Sequence, residues 1–170
     1  DGADDIQAFG NEILIDGGEG DDILYAVGLD VTDTDNKVIN GGAGDDLVRV
    51  EGIGIDAYGG IGNDTLWVFS SSSGANPLVV DLDNQTITGG SIINGFENVT
   101  GQGGPSTPQG TLVGTNSDNV IRAEGGSFQM IGLDGNDTLI GDDFADVFDG
   151  GDGIATAVFA GTGTVDVDLA

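Results

Sequence analysis

Residues 41–49 read GGAGDDLVR, a glycine-rich turn followed by a short apolar segment. The same order returns in GGEGDD at 17–22 and in GGIGND at 59–64, and each hexad precedes three residues of strand type. Further repeat starts lie nine residues apart, at 41, 50 and 59 and again at 132, 141 and 150. A nine-residue period of this kind predicts a solenoid of short turns and short strands.

The period also predicts which residues stack on one another. Two turns and two strands close one coil, so a coil takes 18 residues, and residues 18 apart lie on adjacent coils about 4.8 Å apart. Asp4 and Asp22 are 18 apart, and so are Asp46 and Asp64. The longer interval from Asp22 to Asp46 leaves six extra residues for a loop within 26–35. These four aspartates are predicted to form one ladder along an edge of the solenoid.

The composition indicates what this ladder binds. The chain has 170 residues, with 30 acidic and 3 basic residues and a formal net charge of -27, and 25 of the acidic residues are aspartate. Stacked carboxylates repel one another unless a cation lies between them. Aspartate suits tight turns, and Ca²⁺ takes six to eight oxygens from carboxylates and backbone carbonyls. We therefore expect calcium between the coils; good turn formation alone is the alternative, although it does not require aspartate at the same place in successive coils.

Several functions are excluded by what the chain lacks. The negative charge argues against nucleic acid and against an anionic membrane surface, because both need a basic footprint. The chain has no cysteine and no histidine, which excludes disulfides, ordinary zinc sites and histidine-based triads. No apolar run approaches the length that a membrane-spanning helix needs. A carboxylate pair for glycoside hydrolysis stays open among so many acids, but the ladder explains them better as ligands, and we expect no catalysis.

The repeats fit the pattern G-G-x-G-x-D-x-U-x, in which U is a large apolar residue. This pattern resembles the RTX, or haemolysin-type, calcium-binding nonapeptide repeat, and the resemblance covers about residues 1–67 and 114–158. It implies an all-β fold, a parallel β-roll or β-solenoid, with several calcium ions bound in its turns. It also implies a secreted bacterial protein of the kind exported by type I secretion. We expect two repeat blocks joined by wider coils.

The candidate calcium ligands are the aspartates of the repeats and the turn glycines that let backbone carbonyls point inward. They are Asp4, Gly18, Gly20, Asp22, Gly42, Gly44, Asp46, Gly60, Gly62, Asp64, Asp118, Gly135, Asp137, Asp146, Gly151 and Gly153.

Some positions depart from the pattern. On the opposite edge of the first block, Lys37 and Ile55 stand at the repeat position where the pattern has an aspartate. Asp137 is expected to stack on Ala155, which leaves that site with one carboxylate. The interval from Asp118 to Asp137 exceeds one coil by a single residue, which predicts a bulge, and Asp146 has no evident ladder partner.

The chain divides into four predicted segments. Residues 1–67 are the first repeat block, 68–113 a wider-coil insert, 114–158 the second block, and 159–170 the start of a further coil. Both ends are expected to be cut from a larger array. The core is expected to be thin, with one inward residue per strand, and calcium is expected to supply much of the folding free energy. The predicted inward residues are Ile6, Leu24, Ile39, Val48, Leu66, Val120, Leu139 and Phe148.

An apolar stripe is predicted on the outer face of the first block. We name it the outer stripe, and its members are Ile23, Tyr25, Leu47, Arg49 and Trp67. Arg49 is expected between Tyr25 and Trp67 on neighbouring coils, where a guanidinium stacks favourably on aromatic rings. Such a patch indicates self-association or packing on a neighbouring domain; cover by segment 68–113 is the alternative.

The sequence thus predicts a calcium-binding module that folds outside the cell, where calcium is millimolar, after export as an unfolded chain. Two parent functions stay open. One is a structural or adhesive protein of the cell surface. The other is an exported enzyme or toxin, such as a protease, lipase, epimerase or haemolysin, in which this segment is a non-catalytic module.

Overall fold

The computed structural model describes residues 2–28, 37–52, 54–69, 77–104, 109–142, 145–161 and 166–168. These residues form eighteen strands and no helix, and thus contain no helix able to cross a membrane. The strands are β1 Asp5–Gly10, β2 Ile13–Glu19, β3 Ile23–Gly28, β4 Lys37–Ala43, β5 Leu47–Glu51, β6 Ile55–Ile61, β7 Thr65–Phe69, β8 Val79–Asp81, β9 Thr86–Ile87, β10 Ile93–Asn94, β11 Asn98–Gln102, β12 Gly110–Val113, β13 Val120–Glu124, β14 Phe128–Ile131, β15 Thr138–Gly141, β16 Val147–Asp149, β17 Thr156–Phe159 and β18 Asp166–Asp168.

The strands stack as a parallel solenoid. One side is an eight-stranded sheet in the order β1-β3-β5-β7-β11-β13-β15-β17. The other side consists of a four-stranded sheet, β2-β4-β6-β10, and a six-stranded sheet, β9-β8-β12-β14-β16-β18. Among the described strands, every pair is parallel except the hairpin pair β8 and β9. The predicted all-β parallel β-roll is confirmed.

The register of the eight-stranded sheet confirms the predicted stacking of the first coils. Leu24 pairs with Ile6 on one side and with Val48 on the other, and Val48 pairs with Leu66. The six extra residues of the second coil fall between β3 and β4, where residues 29–36 lie outside the described part of the chain. The predicted stacking of one coil on the next therefore holds wherever the nonapeptide is intact.

The described residues of segment 68–113 widen the coil and continue the stack. β11 pairs with β7 on one side and β13 on the other, and β10 extends the four-stranded sheet. β9, β8 and β12 begin the six-stranded sheet. The described part of this segment thus lies beside the first block along the solenoid axis.

The core has two inward positions on most strands of the large sheet. Leu24, Val48 and Leu66 are fully buried, as predicted, and so are the inward residues two positions later, among them Ala26. Ile39, Leu139 and Phe148 are also buried, while Ile6 is half-buried. The core is therefore thicker than the predicted single inward residue per strand.

One predicted core residue is wrong. Val120 is 41% exposed, and its neighbour Ile121 is fully buried. β13 pairs with β15 so that Val120 lies beside Thr138 on the next coil, with no bulge between them. Because side chains alternate along a strand, the one-residue difference from the predicted register moves Val120 to the outer face.

Candidate metal centre

The predicted ladder of aspartates holds successive coils together through one carboxylate oxygen each. Asp22 Oδ1 accepts the backbone N–H of Asp4 at 2.7 Å, and Asp46 Oδ1 accepts that of Asp22 at 2.8 Å. Asp64 Oδ1 accepts the backbone N–H of Asp46 at 2.8 Å. The side chains of Asp22, Asp46 and Asp64 are buried, whereas Asp4 is exposed. The structure therefore brings these four residues into one row, as predicted.

The second carboxylate oxygen of the buried ladder residues has no partner. Oδ2 of Asp22, Asp46, Asp64 and Asp137 is buried without a hydrogen bond among the described residues. An unpartnered buried carboxylate oxygen is costly, because desolvation of the charge is not compensated. A cation bound at these oxygens would remove that cost.

A glycine at the first position of each of these turns leaves room beside the unpartnered oxygen. A Cβ on Gly41 would overlap with both Asp46 Oδ2 and the carbonyl oxygen of Gly59. Gly17 and Gly132 have the same relation to Asp22 Oδ2 and Asp137 Oδ2, respectively. A carboxylate oxygen and a carbonyl oxygen from the next coil thus converge on one small space, which we call the cradle.

These first-position glycines were absent from the sequence-based site prediction. Their signal lies in the hexads themselves, since a glycine stands five residues before each of the aspartates with an unpartnered oxygen. Sequence alone does not show that the space of the missing Cβ holds the carboxylate.

The predicted glycines at positions two and four share a left-handed backbone. Gly18 has a φ of +99° and Gly20 a φ of +118°. A Cβ on Gly42 would overlap with the carbonyl oxygen of Gly18, so the coils approach closely here. Their roles as calcium ligands stay a prediction. The other members with positive φ are Gly42, Gly44, Gly60, Gly62, Gly135, Gly151 and Gly153.

Burial makes ionisation of the ladder unfavourable without a cation. Desolvation, together with the neighbouring charges of Asp46 and Glu97, raises the pKa of Asp64 to about 6. Burial also raises the pKa of Asp46 and of Asp137. No group of three acidic side chains suited to a metal occurs in the described ranges, so a cation bound at these oxygens would also need carbonyl oxygens. An all-oxygen donor set with few carboxylates fits Ca²⁺.

Comparison with known families agrees with this geometry. The RTX calcium-binding nonapeptide repeat matches in four copies, at residues 14–27, 33–51, 57–68 and 131–153. The chain contains four RTX repeats. Each RTX copy contains one of the four aspartates that have an unpartnered oxygen. Neither the comparison with curated proteins nor the comparison with solved structures gives a significant match.

The second RTX block departs from the predicted ladder at Asp118. Asp118 is exposed, and its Oδ1 accepts the backbone N–H of Asn136 at 2.7 Å. The ladder position belongs to the buried Asn119, whose N–H donates to Asp137 Oδ1 at 2.9 Å. Asp118 instead matches Asp45, which lies one residue before its ladder aspartate and accepts the N–H of Asn63. The predicted bulge is wrong, because Asn119 and Asp137 are already one regular coil apart.

Glu97 and Asn119 carry the ladder across the wide coils between the RTX blocks. Glu97 Oε2 accepts the backbone N–H of Asp64 at 2.8 Å, 33 residues away. Asn119 Nδ2 donates to the carbonyl oxygen of Glu97 at 2.6 Å, 22 residues away. The sequence did not predict either residue, because the intervals of 33 and 22 residues both differ from the length of the regular coil.

The other predicted departures from the repeat pattern occur at the expected residues. Asp137 stacks on Ala155, since Thr138 pairs with Thr156. Lys37 and Ile55 are buried neighbours on the opposite edge of the first block. Asp146 is buried on that edge of the second block, and its Oδ1 accepts the N–H of Phe128 at 2.9 Å.

The outer stripe forms an aromatic cluster around a guanidinium group. The guanidinium carbon of Arg49 lies 4.2 Å from the ring centre of Trp67 and 5.6 Å from that of Tyr25, which confirms the predicted stacking. Phe69 adds a third ring at 5.4 Å. Arg49 Nε and Trp67 Nε1 are buried without an acceptor among the described residues. Phe69, the second residue of segment 68–113, thus packs on this cluster, and β11 of the same segment pairs with β7 beside it.

Proposed function

We propose that this RTX chain is a calcium-dependent folding module of an exported bacterial protein. The observation that carries the proposal is the row of buried, unpartnered Oδ2 atoms at Asp22, Asp46, Asp64 and Asp137. Each lies beside a glycine whose missing Cβ leaves room for a cation. Without calcium, stacked and desolvated carboxylates oppose closure of the coils. With calcium, the same carboxylates tie adjacent coils together, so binding free energy becomes folding free energy.

Because the calcium concentration is low inside the cell and millimolar outside, the chain would fold only after export. A net charge of -27 keeps the calcium-free chain expanded through self-repulsion, a state suited to export. Sites of extracellular modules typically bind calcium with dissociation constants of about 10⁻⁴–10⁻³ M, which matches such a switch. Residues 1–67 and 114–158 are the proposed calcium blocks, 68–113 a spacer, and 159–170 the start of a further coil.

A calcium titration tests this proposal. The chain in EDTA should give the far-ultraviolet circular dichroism of a disordered chain, and millimolar calcium should convert it to a β-sheet spectrum. Magnesium at the same concentration is the control, since it prefers strict octahedral geometry and retains its waters. Isothermal titration calorimetry should count several calcium ions. An unchanged spectrum on chelation, or equal folding in magnesium, would contradict the proposal.

For the parent protein, we favour a structural or adhesive role at the cell surface, supported by the outer stripe. The stripe presents rings on a sheet face where Arg49 and Glu51 lie two residues apart, and Arg122 and Glu124 repeat this arrangement on β13. Two copies packed through this face with antiparallel strands would place each arginine opposite the partner's glutamate. The occupant we propose is therefore a second copy of this chain, joined weakly because the strands of this face are only four to six residues long, or roughly 13–20 Å.

Sedimentation of calcium-loaded chain at high concentration tests self-association. The pair Tyr25→Ser with Trp67→Ser should abolish it, and Val158→Ser, an exposed change near the end of the same sheet, is the control. Self-association and stability that both survive the double substitution would remove this role. The second candidate, a non-catalytic module of an exported enzyme or toxin, is distinguished by a catalytic domain in the full-length gene.

A further inference from the structure

The second residue of each repeat turn differs in backbone conformation along the ladder. In the turns before Asp22, Asp46 and Asp64, the second residues are Gly18, Gly42 and Gly60, with φ between +99° and +119°. In these turns the Oδ2 of the aspartate has no hydrogen-bond partner among the described residues. We call a turn of this kind an open turn.

Two other turns place an ordinary residue at the second position, and there the cradle oxygen is satisfied. The N–H of Thr115 donates to Asn119 Oδ1 at 2.6 Å, and the N–H of Asp142 donates to Asp146 Oδ2 at 3.1 Å. Among the described residues only Gln85 and Leu133 are non-glycine residues with positive φ, so neither Thr115 nor Asp142 has one. We call these closed turns, because their own backbone occupies the oxygen.

Leu133 separates the effect of the backbone from the effect of the residue type. It stands at the second position of the turn before Asp137 and has a φ of +75°. Asp137 Oδ2 is buried without a partner in the described chain, as in the turns with glycine. A positive φ therefore accompanies the open turn even where the residue is leucine, which must overcome strain of about 1–2 kcal/mol to adopt it.

We propose that the φ of the second turn residue decides whether a turn of this chain binds calcium. A positive φ turns the N–H away and leaves the cradle oxygen for the cation, whereas a negative φ directs the N–H onto that oxygen. The turns of Asp22, Asp46, Asp64 and Asp137 are then calcium sites, and those of Asn119 and Asp146 close without calcium. The predicted ligand Asp146 is reassigned to a structural role. This inference rests on the proposed calcium binding and names which turns carry it.

Residue 119 offers the sharpest test, because its turn already has a complete cradle. A Cβ on Gly114 would overlap with Asn119 Oδ1 and would lie 2.9 Å from the carbonyl oxygen of Gly132. Asn119→Asp alone supplies the carboxylate but leaves the Thr115 N–H on it. Asn119→Asp with Thr115→Gly also allows the turn to open. The two variants differ only in the second turn residue, and Thr115→Gly alone is the control without a carboxylate.

Calorimetric counting of bound calcium should give one additional ion for the double variant over the wild-type chain. Neither single variant should gain an ion. A gain in Asn119→Asp alone, or no gain in a folded double variant, would overturn the inference while leaving calcium binding by the wild-type chain intact. A wild-type chain that binds no calcium would overturn the proposed function together with this inference.

Amide hydrogen exchange of the calcium-loaded wild-type chain tests the inference without any substitution. The amides of Thr115 and Asp142 should exchange slowly, because calcium does not displace their hydrogen bonds. The second-position amides of the open turns should not donate to the ladder carboxylates. Fast exchange of Thr115 and Asp142 on addition of calcium would show that these turns open to bind the ion, and would contradict the assignment.

Discussion

Oδ1 of Asp64 accepts the backbone N–H of Asp46 at 2.8 Å, while Oδ2 of the same carboxylate is buried without a partner among the described residues. The Asp64 side chain thus has two roles. Its first oxygen fixes the register of two coils, and its second is the proposed calcium ligand. Substitutions can separate the two roles, because an amide keeps an acceptor oxygen and removes the charge.

Asp64→Asn should stabilise the calcium-free fold and weaken the calcium-bound one. The amide oxygen can still accept the Asp46 N–H, and residue 64 no longer buries a charge. In EDTA, less of a protecting osmolyte should be needed to fold the chain. In calcium, one ion fewer should bind, which costs about 2.7 kcal/mol of stability at a calcium concentration 100 times the dissociation constant. Osmolyte-induced folding followed by circular dichroism, together with calorimetry, measures both effects.

Asp83→Asn is the matched control, because it makes the same change of charge at an exposed position. It should leave the number of bound ions unchanged. Equal effects of the two substitutions would mean that general charge repulsion, and not the ladder site, controls folding.

Gly41→Ala should block one calcium site by filling its cradle. The new Cβ would overlap with Asp46 Oδ2 and with the Gly59 carbonyl, and overpacking of this kind costs about 1–3 kcal/mol. Calorimetry should show one ion fewer. Gly90→Ala is the comparison, since Gly90 has a φ of +83° and no atom within 4 Å of a new Cβ. Its backbone strain should lower stability without changing the number of ions; retention of all ions by Gly41→Ala would contradict the cradle.

The pH dependence of stability between pH 4 and pH 6 should be lost on calcium binding. Burial raises the pKa of Asp64 from 3.8 to about 6, so the calcium-free fold binds more protons than the unfolded chain between these values. The stability of the calcium-free fold should therefore fall as the pH rises through this window. Saturating calcium keeps the folded carboxylate ionised, so in calcium this fall should be absent, and stability should decrease only as the pH drops towards the unfolded-state pKa of 3.8.

Osmolyte titrations between pH 4 and pH 7, with and without calcium, give the two slopes. Asp64→Asn should flatten the slope of the calcium-free chain. Parallel slopes in both conditions would argue against the ladder as the titrating element.

The observed register of β13 predicts that alanine substitutions at two adjacent residues lower the free energy of unfolding by very different amounts. Ile121→Ala should lower the free energy of unfolding in calcium by about 2–5 kcal/mol, because Ile121 is fully buried. Val120→Ala should change it by roughly 0.5 kcal/mol or less, since Val120 lies on the outer face. Urea denaturation in saturating calcium compares the pair, and a larger effect at Val120 would favour the alternative register through Asp118.

The sequence predicts the fold wherever the nonapeptide is intact. The aspartates at 4, 22, 46 and 64 stack as their spacing requires, since one coil uses a fixed number of residues. Stacking of Arg49 between Tyr25 and Trp67 follows from the same register. Local repetition thus determines long-range pairing in this part of the chain.

The prediction of the ladder residues fails where the ladder position is occupied by a residue other than aspartate. The ladder position is occupied by Asn119, whose side chain is an amide, and the residue before it is Asp118. A prediction that looks for aspartate at this position therefore assigns Asp118 to the ladder in place of Asn119. Glu97 joins the ladder through a longer side chain from a coil of a different length. The state of the cradle oxygen depends on the backbone of the turn, and Leu133 shows that residue type alone does not predict it.

The unequal coils have a mechanical consequence. Interstrand hydrogen bonds of the eight-stranded sheet point along the solenoid axis, so tension applied between the ends of the chain peels coils off one at a time. Each release lengthens the tether by the contour of one coil, about 60 Å for a regular coil and about 110 Å for the 33 residues between Asp64 and Glu97. A force-extension trace of this chain should therefore have an uneven sawtooth, whose long step marks the boundary between the two calcium blocks.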